Sequence, residues 1–352
     1  MYFASDNSSG VAPEILAAVT AANPGYAPSY GTDPVMDRVR ARIRDLFEAP
    51  EAAVYLVATG TAANALSLAV LVEPWQTVYC HRLAHIEQDE CGAPEFFTGG
   101  AKLVLVDGEN AKMTPETLRA RIAATRKGDV HGVQRGAVSI TNVTELGSVY
   151  SADELRALTG VAREYGLPVH LDGARFANAV VATGASPAEL SWKSGVDVLS
   201  FGGTKNGCMG VEAVVIFDPR RAWEFELRRK RGAHLFSKHR YLSAQMDAYL
   251  TDGLWLSLAG RANAMADRLK AGLATVPGAA ITHPADANVI FAAWPRALHR
   301  HALGAGARYY QVPGDPDPEG PDDAVIGARL VTSWSTTEED VDRFLALIRG
   351  QD

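Results

Sequence analysis

The residues best suited to chemistry are a lysine and an aspartate that each follow an apolar stretch. Lys205 lies in Ser200-Phe201-Gly202-Gly203-Thr204-Lys205-Asn206-Gly207, and Asp172 lies in His170-Leu171-Asp172-Gly173-Ala174-Arg175. An amine shielded from water loses its proton more readily and then attacks carbonyl groups to form Schiff bases. A carboxylate at the end of a buried strand can hold a protonated ring nitrogen. Either motif alone also fits a loop lysine or a helix-capping aspartate, so the prediction depends on the pair.

Two further motifs add an anion site and an aromatic ring. Ala58-Thr59-Gly60-Thr61-Ala62-Ala63-Asn64 joins a predicted strand to a predicted helix. Backbone N–H groups at a helix N-terminus bind anions, although a Thr-Gly-Thr start also serves ordinary capping. His85 follows the next predicted strand, where an imidazole could stack on a flat ring or be a structural histidine near acidic residues. A pyridinium that bears an aldehyde and a phosphate needs all these partners, which predicts pyridoxal 5'-phosphate (PLP) as a Schiff base on Lys205.

The elements that must position these residues alternate between strands and helices. Strands are predicted at residues 53–58, 77–81, 102–107, 137–143, 169–172, 196–201 and 213–217. Such alternation predicts an α/β fold with a mainly parallel central sheet that is covered by helices on both faces. Ligands bind beyond the carboxyl ends of the strands in these sheets. Because Asp172 and Lys205 both follow strands, they should meet at that edge.

The pattern changes in the last third of the chain. A basic helix is predicted at residues 220–231, and residues 241–273 fit one long helix or a broken pair. A smaller α/β unit follows, with strands at 288–294, 308–312 and 329–334 and helices at 295–303 and 337–348. We therefore expect a large cofactor-binding domain with an N-terminal arm at 1–245. A connecting helix and a small C-terminal domain should occupy 246–352, with a polar surface loop at 314–321.

Composition limits the kinds of partner. The 352 residues are 47% hydrophobic and carry a net charge of -7, which argues against nucleic acid as a main partner. No apolar run is long enough to span a bilayer, and the N-terminus lacks a signal sequence, so a cytoplasmic location is expected. Cys80, Cys91 and Cys208 show no metal-ligand spacing and are expected to be reduced residues in or near the core. No metal site is predicted.

A set of short segments occurs in a fixed order along the chain. They are Phe3-Ala4-Ser5-Asp6-Asn7, Ser29-Tyr30-Gly31, Ala58-Thr59-Gly60-Thr61-Ala62-Ala63-Asn64, Ala84-His85, Glu90-Cys91-Gly92-Ala93, His170-Leu171-Asp172-Gly173-Ala174-Arg175, Phe201-Gly202-Gly203-Thr204-Lys205-Asn206-Gly207 and Gly327-Ala328-Arg329. In this order the set resembles the threonine aldolases, which are fold-type I PLP enzymes related to the β-eliminating lyases. The resemblance covers nearly the whole chain and implies the aspartate aminotransferase-like fold.

The resemblance implies a role for each matching residue near the cofactor. Lys205 would carry the cofactor, Asp172 would keep the pyridine nitrogen protonated, and His85 would stack on the ring. The implied phosphate site consists of Thr59, Gly60 and Thr61.

Other residues would surround the substrate and the cofactor phenolate. The implied set is Ser5, Arg175 and Arg329, and a guanidinium grips a carboxylate at two points. Arg329 could instead be a surface arginine, or mark the entry of a strand that points at the cleft. The resemblance also implies a homodimer or homotetramer with shared sites. The residues that a neighbouring subunit would contribute to each site are Tyr30, Lys230 and Lys238. The basic segment around Lys230 also fits a solvated helix face.

One position departs from the family pattern. Better-known bacterial members have a histidine after the strand that corresponds to residues 137–143, near the substrate hydroxyl. This chain reads Thr141-Asn142-Val143-Thr144-Glu145-Leu146-Gly147 there, so Glu145 or Thr144 could take that place. The identity of the base stays open, with His85 or a water that it holds as the leading candidate.

The expected reaction is retro-aldol cleavage of a β-hydroxy-α-amino acid into glycine and an aldehyde. L-threonine, L-allo-threonine and phenylserine are candidate substrates. Racemisation, transaldol transfer and β-elimination are alternatives that use the same cofactor. A non-catalytic PLP-binding module is the alternative from another class of protein.

Overall fold

A seven-stranded sheet forms the centre of the larger part of the molecule. The computed structural model describes residues 1–312, 314 and 319–350. The strands are β1 (Ala53–Val57), β2 (Gln76–His81), β3 (Lys102–Val106), β4 (Gln134–Thr141), β5 (Val169–Gly173), β6 (Val198–Gly202) and β7 (Glu212–Ile216). Their order is β1-β7-β6-β5-β4-β2-β3. Strands β2 to β6 pair in parallel, whereas β7 runs antiparallel to both β1 and β6. The predicted mainly parallel sheet is confirmed.

Helices cover both faces of this sheet. They are α1 (Pro13–Ala21), α2 (Pro34–Leu46), α3 (Gly60–Ala69), α4 (His85–Gln88), α5 (Ala93–Thr98), α6 (Pro115–Ala124), α7 (Ala152–Glu164), α8 (Phe176–Thr183), α9 (Ala222–Arg231), α10 (Arg240–Leu250) and α11 (Leu254–Leu273). Two buried apolar clusters lie on opposite faces, one around Phe47, Phe176 and Phe201 and the other around Leu66 and Phe225. Burial of both faces fits the nearly continuous apolar sequences of the central strands.

Local sequence signals explain where several helices begin and end. Thr114 and Ser151 each form a capping box, which satisfies backbone N–H groups at the starts of α6 and α7. The stretch predicted as one long helix or a broken pair is a broken pair. Asp252 and Gly253 adopt left-handed backbone angles between α10 and α11, which ends the first helix.

A second, four-stranded sheet lies in the C-terminal part of the chain. It consists of β8 (Ala280–Ile281), β9 (Val289–Pro295), β10 (Tyr310–Val312) and β11 (Val325–Val331), in the order β10-β11-β9-β8. Helices α12 (Arg296–Gly304) and α13 (Glu338–Ile348) pack near it. The N-terminal segment joins this unit, because Phe3 N–H donates to Arg308 O at 2.7 Å and Phe3 O accepts from Val331 N–H at 2.8 Å. The division at residues 245 and 246 stays a prediction.

The strand predicted at 329–334 is present, but its predicted bounds are wrong. It is β11, Val325–Val331, and Arg329 lies within the strand rather than at its entry. Cys80 and Cys208 are buried as expected, whereas Cys91 is exposed. Half of the loop predicted at 314–321, residues 315–318, lies outside the described residues. Within the part that the structure describes, no helix is both long enough and apolar enough to cross a membrane.

Candidate active site

One cavity at the carboxyl edge of the parallel strands collects most of the predicted site residues. Its volume is about 250 Å³. The predicted residues that line it are Thr59, Gly60, Thr61, His85, Glu145, Asp172, Arg175 and Lys205. Thr59 follows β1, His85 follows β2, Glu145 follows β4, Asp172 ends β5 and Lys205 follows β6. Parallel pairing brings the ends of β2, β4, β5 and β6 to one edge of the sheet. Strand β1 ends at the same edge, because it and β6 both run antiparallel to β7.

The start of α3 forms an anion-binding surface in this cavity. Thr59 has an extended backbone, and its hydroxyl accepts a hydrogen bond from Ala62 N–H at 3.2 Å. The N–H groups of Gly60 and Thr61 at the start of the helix have no intrahelical acceptor. A Cβ atom added to Gly60 would meet no atom within 4 Å, so the space beside it is open. The helix start can therefore receive a phosphate group.

Asp172 and Lys205 face the cavity from neighbouring strands. Asp172 is buried, with Oδ1 accepting from Ala174 N–H at 3.1 Å and Oδ2 accepting from Asn64 Nδ2 at 3.0 Å. Among the described residues, Lys205 Nζ makes no hydrogen bond or salt bridge. Its short helical turn ends at Gly207, where φ is +100° and an added Cβ would approach Leu258 to 3.0 Å. Glycine therefore lets the chain turn sharply after the lysine.

His85 is held by a buried carboxylate. Its Nδ1 lies 2.8 Å from Glu90 Oε1, and the Glu90 side chain is buried. The hydrogen bond to Glu90 raises the pKa of His85 above its ordinary value, against the opposing effect of burial. Burial raises the pKa of Glu90, although the hydrogen bonds from His85 and Asn64 oppose that rise. The imidazole is therefore a stronger base than a free histidine.

The two predicted arginines lie close to the N-terminal segment. Asp6 forms a two-point salt bridge with Arg175, at 2.6 Å from Nε and 3.0 Å from Nη2, and both side chains are buried. Burial favours protonation of Asp6, but the charges of Arg175 and Lys205 outweigh it and hold the pKa of Asp6 below its ordinary value. Arg329 Nη1 donates to Ala4 O at 3.4 Å. Burial, followed by the positive charge of Arg175, lowers the pKa of Arg329, so an anion beside both groups would relieve their repulsion.

Three other predictions have mixed outcomes. Ser5 does not line the cavity, because its hydroxyl accepts from Asn7 N–H at 3.1 Å and Asn7 reaches the cavity instead. Thr144 is buried, and its hydroxyl pairs with that of Ser148 at 2.8 Å. Glu145 and Thr144 are the two residues that could take the position of the histidine found in other members. Of these, only Glu145 lines this cavity.

The residues assigned to a neighbouring subunit lie outside the cavity of their own chain. Lys230 Nζ lies 4.7 Å from the centre of the Tyr30 ring, and Ser237 O accepts from Tyr30 N–H at 3.2 Å. Lys238 follows and is exposed. The basic helix is not uniformly solvated, because Arg229 is buried and donates to Leu56 O at 3.2 Å.

Glu212 lines the cavity and was missed by the sequence reasoning. It pairs with both Val57 and Gly202 as the first residue of β7, and its Oε2 accepts from Gly203 N–H at 2.8 Å. Burial raises the pKa of Glu212 to about 7. A strand that runs antiparallel to its neighbours starts at the edge where they end. A charged residue at the start of such a strand, as in β7, is therefore a sign in the sequence that this residue reaches the site.

The residues present fit PLP. Lys205 offers an amine without a partner among the described residues, Asp172 offers a buried carboxylate, and the start of α3 offers free N–H groups beside open space. These three groups line one cavity. Together with the sheet order, they define the class of fold-type I PLP-dependent enzymes.

Comparisons with known proteins agree with this class. The beta-eliminating lyase family profile matches residues 2–294. The chain is 42% identical to the low specificity L-threonine aldolase of Pseudomonas sp. over 348 residues, covering 99% of this chain and 97% of the relative. The threonine aldolase structure of Leishmania major superposes with a TM-score of 0.91 at 28% identity, covering 99% and 98% of the two chains. The histidinol-phosphate aminotransferase of Clostridium acetobutylicum shares the fold, with a TM-score of 0.70 at 14% identity, covering 99% and 98%.

The chain belongs to the beta-eliminating lyase family. The family and the threonine aldolase relatives make it an enzyme, a carbon–carbon lyase.

Proposed function

We propose that this enzyme cleaves L-threonine, L-allo-threonine or a related β-hydroxy-α-amino acid into glycine and an aldehyde. The observation that carries the proposal is the single cavity lined by Lys205, Asp172 and His85 in a chain that is 42% identical to a low specificity L-threonine aldolase. A further support is the pair Arg175 and Arg329, which suits the carboxylate that all these substrates share.

The chain's own groups divide the work of holding the cofactor. When bound, PLP supplies an aldehyde that condenses with amines and a ring that accepts electrons from a breaking bond. Lys205 would be the amine that tethers it, and the Asp172 carboxylate would accept the ring N–H and keep the ring positively charged. Gly60 and Thr61 would offer their N–H groups to the phosphate at the positive end of α3.

Other residues orient the substrate and move its hydroxyl proton. Asp6 fixes Arg175 by occupying Nε and Nη2, so Nη1 is left for a substrate carboxylate or the cofactor phenolate. Arg329 does not itself line the cavity, but it lies near enough to Arg175 to add a second positive charge beside it. His85 takes the β-hydroxyl proton through Nε2, since its Nδ1 is engaged by Glu90. Glu145 lies in the same cavity and is the competing base.

Product analysis tests the proposal directly. The purified enzyme, loaded with PLP, is given a panel of threonine, allo-threonine and phenylserine stereoisomers, and glycine and aldehyde are quantified. Equal amounts of both products support aldol cleavage. Epimerised substrate would indicate a racemase, and a 2-oxo acid formed together with an equal amount of ammonia would indicate an eliminating lyase. Absence of any product with PLP bound would favour a non-catalytic module.

Assembly and location belong to the same proposal. A homodimer or homotetramer is supported by the position of Tyr30, Lys230 and Lys238, which lie together but away from the cavity of their own chain. A partner subunit would bring these groups to the cavity. A cytoplasmic location rests on the composition of the chain.

A further inference from the structure

A buried carboxylate beside His85 does not line the cavity, and the reaction scheme above uses it only to engage Nδ1 of that histidine. Glu90 lies between α4 and α5, and its side chain is fully buried. Its Oε1 receives two donors at 2.8 Å, the Nδ1 of His85 and the Nδ2 of Asn64. Its Oε2 is buried and has no hydrogen-bond partner among the described residues. A buried carboxylate costs free energy unless it is well paired, so its retention here requires a reason.

Asn64 joins this carboxylate to a second one. It lies in the first half of α3, where asparagine is an unfavourable helix residue, and it is buried. Its Nδ2 donates to Glu90 Oε1 at 2.8 Å and to Asp172 Oδ2 at 3.0 Å. An amide NH₂ group has two hydrogens, so one goes to each carboxylate. His85, Glu90, Asn64 and Asp172 therefore form one continuous chain of hydrogen bonds.

We propose that Glu90 and Asn64 are positioning residues that hold the His85 imidazole at the cavity and join it to Asp172. Glu90 sets the direction of the imidazole, and Asn64 holds the two carboxylates at a fixed separation. This inference rests on the proposed function insofar as it assigns His85 the hydroxyl proton. The hydrogen-bond chain itself belongs to the folded protein and can be measured without substrate or cofactor.

The contact with Glu90 determines which imidazole nitrogen is the base. An ionised carboxylate only accepts hydrogen bonds, so His85 Nδ1 must carry a hydrogen toward Glu90. In neutral His85 the lone pair then lies on Nε2, which is left free to act in the cavity. The same arrangement holds the ring in one tautomer and one orientation, as a third group does for the base in other catalytic dyads and triads.

Some charges around His85 raise its pKa and others lower it. Glu90 on its own loop, Asp172 from β5 and Glu145 from the loop after β4 favour the protonated imidazole, while Lys205 from the turn after β6 opposes it. The net result is a pKa above the ordinary value of histidine. Removing the Glu90 charge should therefore move the His85 titration, and the acidic limb of the pH–rate profile, to lower pH. Weakening the base should also lower kcat on the alkaline side by roughly 10-fold, less than complete loss of a general base would.

Nuclear magnetic resonance of the cofactor-free protein tests the proposal. The chain has 9 histidines, so the His85 signals are assigned by their loss in His85→Gln. In the wild-type protein above the His85 pKa, we expect ¹⁵N shifts of a protonated Nδ1 and an unprotonated Nε2. Glu90→Gln should move the titration midpoint to lower pH. Asp89→Asn removes the same charge from the exposed neighbouring residue and should leave the midpoint near that of wild type.

Asn64→Ala tests the connection to Asp172. Loss of the shared amide should leave the His85 tautomer intact but weaken PLP binding, measured by equilibrium dialysis with absorbance detection. A hydrogen on Nε2 in neutral wild-type His85, or equal midpoints in Glu90→Gln and Asp89→Asn, would overturn the role of Glu90. Unchanged PLP affinity in Asn64→Ala would overturn the role of Asn64. The tautomer is read in the wild-type protein, and His85→Gln serves only to assign its signals, so poor folding of Glu90→Gln or Asn64→Ala leaves the proposal testable. Failure of the aldolase assay alone would count against the proposed function and not against this chain of hydrogen bonds.

Discussion

At the scale of single residues, Lys205 is the group on which turnover depends most. It faces the cavity, and its amine makes no hydrogen bond or salt bridge among the described residues. Lys205→Ala should abolish product formation and the visible absorbance of covalently held cofactor, because no other cavity lysine replaces the amine. Lys193→Ala removes an exposed lysine paired with Glu48 and is the control, with near-normal activity expected. Normal turnover of Lys205→Ala would contradict the entire reaction scheme.

The Asp6–Arg175 pair should govern both stability and substrate binding. Removing one partner of a buried ion pair typically costs about 3–5 kcal/mol, so Asp6→Asn should lower the free energy of unfolding by that order at pH 7. The pKa of Asp6 is lowered in the folded protein, so its contribution is present above its ordinary value of 3.8. That contribution is lost as pH falls through the lowered folded value. The gap between variant and wild type should therefore narrow at strongly acidic pH.

Urea unfolding at a series of pH values measures this effect, and KM for the substrate should rise in Asp6→Asn as Arg175 loses its fixed position. Asp37→Asn is the matched control, because Asp37 pairs with Arg40 on the surface. An exposed pair of this kind contributes about 1 kcal/mol or less. Equal effects of the two substitutions would show that burial of the Asp6 pair carries no special stability.

At the scale of elements, the end of β6 and the turn after β5 approach each other closely. A Cβ atom added to Gly202 would lie 2.3 Å from Ala174 O, which no rotation of a side chain can relieve. Gly202→Ala should therefore displace the turns that carry Asp172 and Lys205. It should also destabilise the protein by about 1–3 kcal/mol, the usual cost of overpacking.

Gly160→Ala is the control for this prediction. Gly160 lies within α7, and an added Cβ would meet no atom within 4 Å. Alanine favours a helix interior by roughly 0.5–1 kcal/mol over glycine, so this variant should be more stable than wild type. Thermal unfolding compares the two variants, and PLP affinity should fall only in Gly202→Ala. A Gly202→Ala protein with wild-type stability and PLP affinity would contradict the close approach.

The elements also show what sequence reasoning could and could not reach. Strand ends placed Asp172, Lys205 and His85 at one edge, because parallel strands end together. Glu212 was missed because β7 runs the other way, so its first residue reaches that edge. The sequence gives no sign of the role of Asp6, since its partner Arg175 is 169 positions away and the fold alone brings them together. The apolar residues after Arg329 resemble the start of a strand, which is why the sequence predicts a strand entry at a residue that lies inside β11.

At the scale of the whole molecule, the cavity of one chain lacks some of the predicted positive charge. Tyr30, Lys230 and Lys238 lie together outside it, and large apolar side chains such as Phe96, Trp223 and Leu227 are exposed on the same chain. In a two-fold symmetric dimer any contact between the two chains occurs twice. If Tyr30, Lys230 and Lys238 of one chain meet the cavity of the other, each chain therefore completes the site of its partner. Subunit mixing can test that arrangement without knowledge of the interface.

The test combines two defective chains, Lys205→Ala and the double variant Lys230→Ala, Lys238→Ala. If the lysine pair serves the partner's site, each variant alone should have very low activity. In a mixed dimer one site then has both defects and the other has none. Random reassociation of equal amounts should restore about a quarter of wild-type activity, since half the dimers are mixed and half their sites are intact. The measurement is aldehyde release after the two proteins are unfolded and refolded together, with each variant refolded alone as the control. Light scattering of the wild-type enzyme must show at least a dimer. Activity in the mixture equal to the mean of the two separate variants would show that each chain builds its site alone.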